Sequence, residues 1–231
     1  MFFGGLQRTT LVDYPGKIAA TVFTMGCNFR CPYCHNPELV LPELIKKQPK
    51  ISEAEVLKFL QNRQGLLEGL CITGGEPTMH LDLADFLRRV KALGFKVKLD
   101  SNGSFPDRLK KLINQHLVDY IAMDVKFPLE KYVLVTKGRV PLENVRKSVD
   151  LLKQGKVDYE FRTTLVPKIL TKEDVLQIVE WIKPAPKYFL QRFRGKKTLD
   201  PEFSNLRGWP EEEMRSLLEE IKPNFKECAL R

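Results

Sequence analysis

The sequence predicts an α/β fold: a partial (β/α)6 barrel of the TIM type, open on one side, with an N-terminal β-hairpin and one domain over residues 1–231. Three observations predict it. Short β-rich runs alternate with helical stretches, which implies parallel strands joined by right-handed crossovers. The unusual polar residues fall where strands end, the face on which such barrels carry their chemistry. No G-x-G-x-x-G follows the first strand, so an open dinucleotide-binding sheet loses support. About six β-then-α units can be counted, too few to close a full barrel.

The elements follow in order. Thr9 to Tyr14 and Ile18 to Thr24 read as a hairpin, joined by Pro15-Gly16, a type II turn pair. Ser52 with Glu55 makes a capping box that opens a helix bearing Val56, Leu57 and Leu60. Leu70-Cys71-Ile72 is a buried strand. Leu83, Phe86, Leu87, Val90 and Leu93 recur at helical spacing until Gly94. Val97 to Leu99 is a strand, and Leu109 to Ile113 a short helix after Pro106. Tyr120 to Val125 is a strand, and Pro141 to Leu152 a helix stopped by Gly155. Tyr159 to Val166 is the next strand. Thr171 with Asp174 caps a helix carrying Val175, Ile178, Val179 and Ile182. Tyr188 to Leu190 is the last strand and Pro210 to Ile221 the last helix.

Composition narrows the class. The chain is 43% hydrophobic and 29% charged, enough apolar matter for a core and enough charge for solubility. No run of 18 apolar residues exists, so a membrane span is excluded. The first residues lack the order of a secretory signal, which predicts a reducing, cytoplasmic location. The net charge of +9 favours acidic partners without naming one. Its dense stretches, Lys46 to Lys50 and Arg192 to Lys197, read as solvated surface.

Five cysteines are present, three of them at Cys27, Cys31 and Cys34. In a reducing compartment such a group points to a metal or redox role. Structural zinc wants four ligands, commonly as two spaced pairs. Here the fourth would be His35, beside Cys34, or the remote Cys71, His80 or Cys228. An iron–sulfur cluster accepts three cysteines if one iron is left for a non-protein ligand. Cys71 reads as a small core residue and Cys228 as an uninvolved thiol; His80 and His116 have no constellation around them.

Cys27-Asn28-Phe29-Arg30-Cys31-Pro32-Tyr33-Cys34 is a C-x-x-x-C-x-x-C run with an aromatic before the last cysteine. Gly74-Gly75-Glu76-Pro77 follows the next strand. Together these motifs resemble the radical S-adenosylmethionine (radical SAM) superfamily, and the chain agrees with it in length and element order. The resemblance implies a [4Fe-4S] cluster on Cys27, Cys31 and Cys34, with S-adenosylmethionine on the fourth iron. One electron then cleaves the sulfonium to methionine and a 5′-deoxyadenosyl radical that abstracts a hydrogen atom. It also implies cofactor contacts for Tyr33, near the adenine, and for Gly74, Gly75, Glu76 and Pro77, with Glu76 facing the ammonium group. Asp100, Ser101 and Asn102 would hold the ribose. Asp124 and Lys126 share one strand face, Lys126 lying near the carboxylate. Arg162 and Gln191 are weaker candidates. In glycyl-radical-activating relatives the residues matching Asp100 and Ser101 also hold a monovalent cation. His35 and Asn36 are expected to support the cysteine loop rather than ligate iron.

Gly4-Gly5-Leu6-Gln7, Leu11-Val12-Asp13-Tyr14-Pro15-Gly16-Lys17 and Cys34-His35-Asn36-Pro37-Glu38-Leu39 resemble one subgroup. This is the activating proteins of anaerobic ribonucleoside-triphosphate reductase, related to the pyruvate formate-lyase activating enzyme. The resemblance implies a protein substrate, a glycine of that large glycyl-radical enzyme (anaerobic ribonucleotide reductase), and a flavodoxin- or ferredoxin-type electron donor. Membrane and nucleic acid are not expected partners. The alternatives are activation of another glycyl-radical enzyme of the pyruvate formate-lyase type, a small molecule or RNA base as substrate, or a zinc-bearing module that binds nucleic acid.

Overall fold

The computed structural model describes residues 1–138 and 140–231. Nine strands form one sheet: β1 (Phe2–Thr10), β2 (Ala19–Thr24), β3 (Ile51–Ser52), β4 (Gly69–Gly74), β5 (Lys96–Ser101), β6 (Tyr120–Asp124), β7 (Asp158–Leu165), β8 (Ala185–Arg192) and β9 (Phe225–Leu230). The helices are α1 (Pro42–Ile45), α2 (Glu53–Gln61), α3 (Leu83–Ala92), α4 (Pro106–Asn114), α5 (Val133–Thr136), α6 (Leu142–Lys153), α7 (Lys172–Ile182) and α8 (Glu211–Ile221). The sheet order is β3-β1-β2-β4-β5-β6-β7-β8-β9. β1 runs antiparallel to β2 and β3, and the remaining neighbours are parallel. Between β2 and β9 lie six β-then-α units, as the sequence predicts. The two edges, β3 and β9, are not paired with each other among the described residues, so the barrel stays open there.

Alternation along the parallel strands separates two environments. Leu70 and Ile72, Val97 and Leu99, Ile121 and Met123 are fully buried and join one apolar cluster with Phe86, Leu87 and Val90 of α3 and Leu109 and Leu112 of α4. That layer between strands and helices is the core. The intervening residues point to the barrel interior, whose base is closed by Tyr14 against Tyr120, ring centroids 6.2 Å apart. Tyr120 donates to Glu160 at 2.7 Å, and the Arg231 guanidinium meets the same fully buried carboxylate at 2.9 Å.

Local signals hold where they satisfy otherwise orphaned backbone groups. Both capping boxes form: Ser52 with Glu55, and Thr171 with Asp174. Two expectations are corrected. The first strand is Phe2–Thr10 rather than Thr9 to Tyr14. Thr10 Oγ1 accepts the N–H groups of Val12 and Asp13 at 3.3 and 3.2 Å and turns the chain out of the sheet. The Pro15-Gly16 turn is real (Lys17 N donates to Tyr14 O at 3.2 Å, and Gly16 has φ +67°), but it sits inside a longer loop. The second correction is β9. Lys226 and Glu227 break its apolar pattern, and its pairing comes from β8, with Tyr188 opposite Cys228 and Leu190 opposite Leu230.

Candidate active site

Register brings the singled-out residues together. Thr24 pairs with Gly74, so the loop after β2 meets the turn after β4. Asp124 pairs with Arg162, and Thr164 with Gln191. The strands end around a cavity of about 400 Å³ lined by Cys27, Cys31, Tyr33, Cys34, Gly74, Gly75, Asp100, Ser101, Asn102, Asp124, Lys126, Arg162 and Gln191. Sequence reasoning missed Asp13, Thr21 and Thr164, which also line it. Strand alternation could have found Thr21 and Thr164. A wider surface groove of about 930 Å³, bordered by Pro128, Trp181 and Glu220, contains none of the cysteines.

The cysteine loop is held from three sides. Arg30 N donates to Val135 O at 2.8 Å, and the Arg30 guanidinium folds back onto the Cys27 and Phe29 carbonyls at 2.6 and 2.7 Å. Leu199 N and Asp200 N donate to Cys34 O and Pro32 O at 2.9 and 2.8 Å, so the segment after β8 straps the loop. His35 stacks on Phe193 and bonds Arg194 O at 2.7 Å, a further tie between the loop and the segment after β8. Burial pushes the Cys27 and Cys31 thiols up to about 12 and raises Cys34 as well. All five cysteines are free. Among the described residues no three His, Cys, Asp or Glu side chains converge closely enough for one metal ion. A cluster binds each thiolate at a different iron and needs no such convergence. Cys71 is a small buried residue of β4, 1% exposed as expected, and it also lines this cavity, with its Sγ 3.8 Å from Lys98 Nζ.

Gly74 and Gly75 line the cavity, but their own backbone neighbours demand glycine. Gly74 has φ +106°, and a Cβ there would stand 2.6 Å from Thr24 N. A Cβ on Gly75 would collide with the Gly26 carbonyl oxygen. Gly75 N and Glu76 N donate to Thr24 O and Gly26 O at 2.9 and 2.8 Å, binding this turn to the cysteine loop. Glu76 is turned inward, behind this turn. Its carboxylate is 1% exposed and accepts from Thr78 N at 3.0 Å, Ser101 Oγ at 2.9 Å, Asn102 N at 2.6 Å and the Thr78 hydroxyl. Burial raises its pKa against those bonds. Glu76 and Pro77 do not line the cavity; the carboxylate ties the β4 turn to the end of β5. Asn102 Nδ2 reaches Asn28 Oδ1 at 3.1 Å, a second tie to the cysteine loop. Tyr33 is buried edge-on against Phe127.

Asp100, Asp124, Lys126 and Arg162 stand in one ion-pair chain across the cavity wall. It includes Lys98, which sequence reasoning passed over although it lies two residues before Asp100 on the same strand face. Burial alone would raise the Asp124 pKa; Arg162 and Lys126 instead hold it down at about 2. Asp100 is lowered in the same way, burial being outweighed by Arg162 and Lys98. Lys126 stays charged because Asp124 outweighs its desolvation.

Comparisons with known proteins agree with this arrangement. The sequence profile of the Radical SAM superfamily matches residues 21–182. A Methanocaldococcus jannaschii protein, provisionally named a glycyl-radical enzyme activating enzyme, is 36% identical over 92% of this chain and 88% of its own. The pyruvate formate-lyase-activating enzyme of Listeria monocytogenes is 28% identical over 76% of this chain and 73% of its own. Among solved structures, Streptococcus suis SuiB bound to its precursor peptide SuiA superposes with a TM-score of 0.68 at 13% identity. That match covers 90% of this chain and 47% of SuiB, so the chain spans about half of that protein. Archaeal TYW1 gives a TM-score of 0.58 at 18% identity over 90% of this chain and 72% of its own. At these identities the two structures speak for the fold alone. No helix among the described residues is long and apolar enough to cross a membrane. With its family profile, its relatives and a three-cysteine loop on the open end of a partial barrel, the chain belongs to the radical SAM superfamily, in the group of the glycyl-radical enzyme activating enzymes.

Proposed function

We propose that residues 1–231 act as a single radical SAM domain that cleaves S-adenosylmethionine reductively and takes a hydrogen atom from a glycine of a partner glycyl-radical enzyme. The observation that carries this is the meeting, in one cavity at the strand ends, of three thiols from one loop with a wall of buried ion pairs. The residues present suit both groups the family implies. Cys27, Cys31 and Cys34 form a soft thiol donor set on one loop of the cavity. Phe29 N points at Cys27 Sγ from 3.4 Å, a donor suited to a thiolate.

When bound, the cluster would supply one electron for cleavage of the cofactor to methionine and a hydrogen-abstracting 5′-deoxyadenosyl group. The chain's own residues do the rest. Lys126 and Arg162 present fixed positive charge to a carboxylate, with Asp124 between them holding both in place. Asp100 and Asn102 offer short polar groups to the ribose, and Tyr33 an aromatic wall to the adenine. Gln191 and Thr164, joined at 3.4 Å, border the cavity farther along the sheet. With β3 and β9 as unpaired edges of the sheet, this side is where a loop of a partner protein would approach.

Anaerobic ribonucleoside-triphosphate reductase is the first candidate partner, on the Gly4–Gln7 and Leu11–Lys17 stretches, with a flavodoxin- or ferredoxin-type donor. The 28% identity with a pyruvate formate-lyase-activating enzyme supports the second reading. Electron paramagnetic resonance of anaerobic mixtures with each partner, reductant and S-adenosylmethionine separates the two. The proposal expects a glycyl radical with the reductase and none with pyruvate formate-lyase. A radical with the lyase alone would reassign the partner, and none with either would remove the protein-substrate reading.

A further inference from the structure

Lys98, Asp100, Arg162, Asp124 and Lys126 alternate in charge along one wall of the cavity, and every carboxylate oxygen among them is taken. Asp100 Oδ1 pairs with Lys98 Nζ, and Asp100 Oδ2 with Arg162 Nη1 at 3.2 Å. Asp124 Oδ1 pairs with Arg162 Nε at 2.9 Å, and Asp124 Oδ2 with Lys126 Nζ at 3.2 Å. The Ser101 hydroxyl, the other oxygen expected to hold a monovalent cation, donates to Glu76 at 2.9 Å and receives Gly103 N at 3.1 Å. Asp13, the remaining carboxylate on the wall, accepts from Thr21 at 2.6 Å and stands outside the chain of pairs. These oxygens do not fit a free alkali cation.

Charge counting gives the same answer. With Asp13 included, three cations face three carboxylates, so the wall is balanced without a metal ion. A further cation would leave buried charge uncompensated, which is costly. Lys98 supplies the third of these cations. Its side chain is 2% exposed, and its nitrogen reaches Asp100 and, at 3.8 Å, Cys71 Sγ. Without it the wall would carry two cations against three carboxylates.

We propose that the Lys98 ammonium is a built-in counter-cation, standing in for a monovalent metal ion, so that this chain binds S-adenosylmethionine without sodium or potassium. The proposal rests on the cofactor reading above. Its test compares choline, sodium and potassium chloride at one ionic strength, with two readouts: thermal unfolding of the cluster-free protein, and equilibrium dialysis of S-adenosylmethionine against the reconstituted one. Wild type should give the same midpoint and the same affinity in all three salts. Lys98→Met should lose about tenfold in affinity in choline and regain it in sodium or potassium, roughly the effect of one close charge. Its cluster-free form should melt higher in those two salts than in choline. Lys98→Arg keeps the charge and, whatever its affinity, should show no difference among the three salts. A wild type that needs sodium or potassium overturns the proposal, as does a folded Lys98→Met whose loss is equal in the three salts. If Lys98→Met does not fold, the wild-type salt comparison decides. If no variant binds S-adenosylmethionine in any salt, the cofactor reading fails, and the melting comparison still decides the role of Lys98.

Discussion

Along β5, Val97 and Leu99 are buried among the side chains of α3 and α4, while Lys98 and Asp100 on the opposite face enter the ion-pair wall of the cavity. β6 and β7 repeat the division, with Ile121, Met123 and Phe161 in the core and Asp124 and Arg162 in the cavity. A period of two thus lets one strand serve folding on one face and chemistry on the other. The two faces answer to different forces. The outer one is held by apolar area removed from water. The inner one is held by charges that are tolerable only in mutual contact.

Substitutions on the two faces should separate these contributions. Asp100→Asn has the largest expected effect, because it leaves Lys98 and Arg162 short of a buried counter-charge. A stability loss of roughly 3–5 kcal/mol should appear in urea unfolding, with loss of S-adenosylmethionine binding. Leu99→Ala next door should cost about 3 kcal/mol through its cavity. Below its melting point it should bind the cofactor as wild type does. Equal loss of binding in both variants would break the two-face account. Gly75→Ala pushes a methyl group against the Gly26 carbonyl and should displace the cysteine loop. The stability cost is about 1–3 kcal/mol, and iron uptake on reconstitution should fall more than stability does. The smallest effect belongs to Ser52→Ala, which removes a helix cap far from the cavity. It should cost about 1 kcal/mol and leave iron content unchanged.

The sequence showed most of this where the physics is local. Capping boxes, the Pro15-Gly16 turn and the helical spacing from Leu83 to Leu93 depend on near neighbours. Motif spacing located the cysteine loop, and strand-end polarity located Asp100, Asp124 and Lys126. Legibility failed where tertiary partners decide. β9 exists through its ladder with β8. Glu76 caps the turn at Thr78 locally, but the donors from Ser101 and Asn102 that turn it inward come from another strand end, which no local pattern reveals. Lys98 looks like any surface lysine until the barrel interior buries it against Asp100 and Cys71. The need for Gly75 comes from Gly26, a residue of the preceding loop.

The central claim is that Cys27, Cys31 and Cys34 hold a cluster that works on S-adenosylmethionine, while Cys71, on the same cavity wall, does not take part. Anaerobic reconstitution of wild type, Cys31→Ala and Cys71→Ala, followed by iron and sulfide analysis and assay of 5′-deoxyadenosine with dithionite, tests it most directly. Wild type and Cys71→Ala should carry about four irons and four sulfides per chain and release 5′-deoxyadenosine, and Cys31→Ala should do neither. Retained cleavage in Cys31→Ala, or a colourless wild type holding zinc without sulfide, would contradict the account.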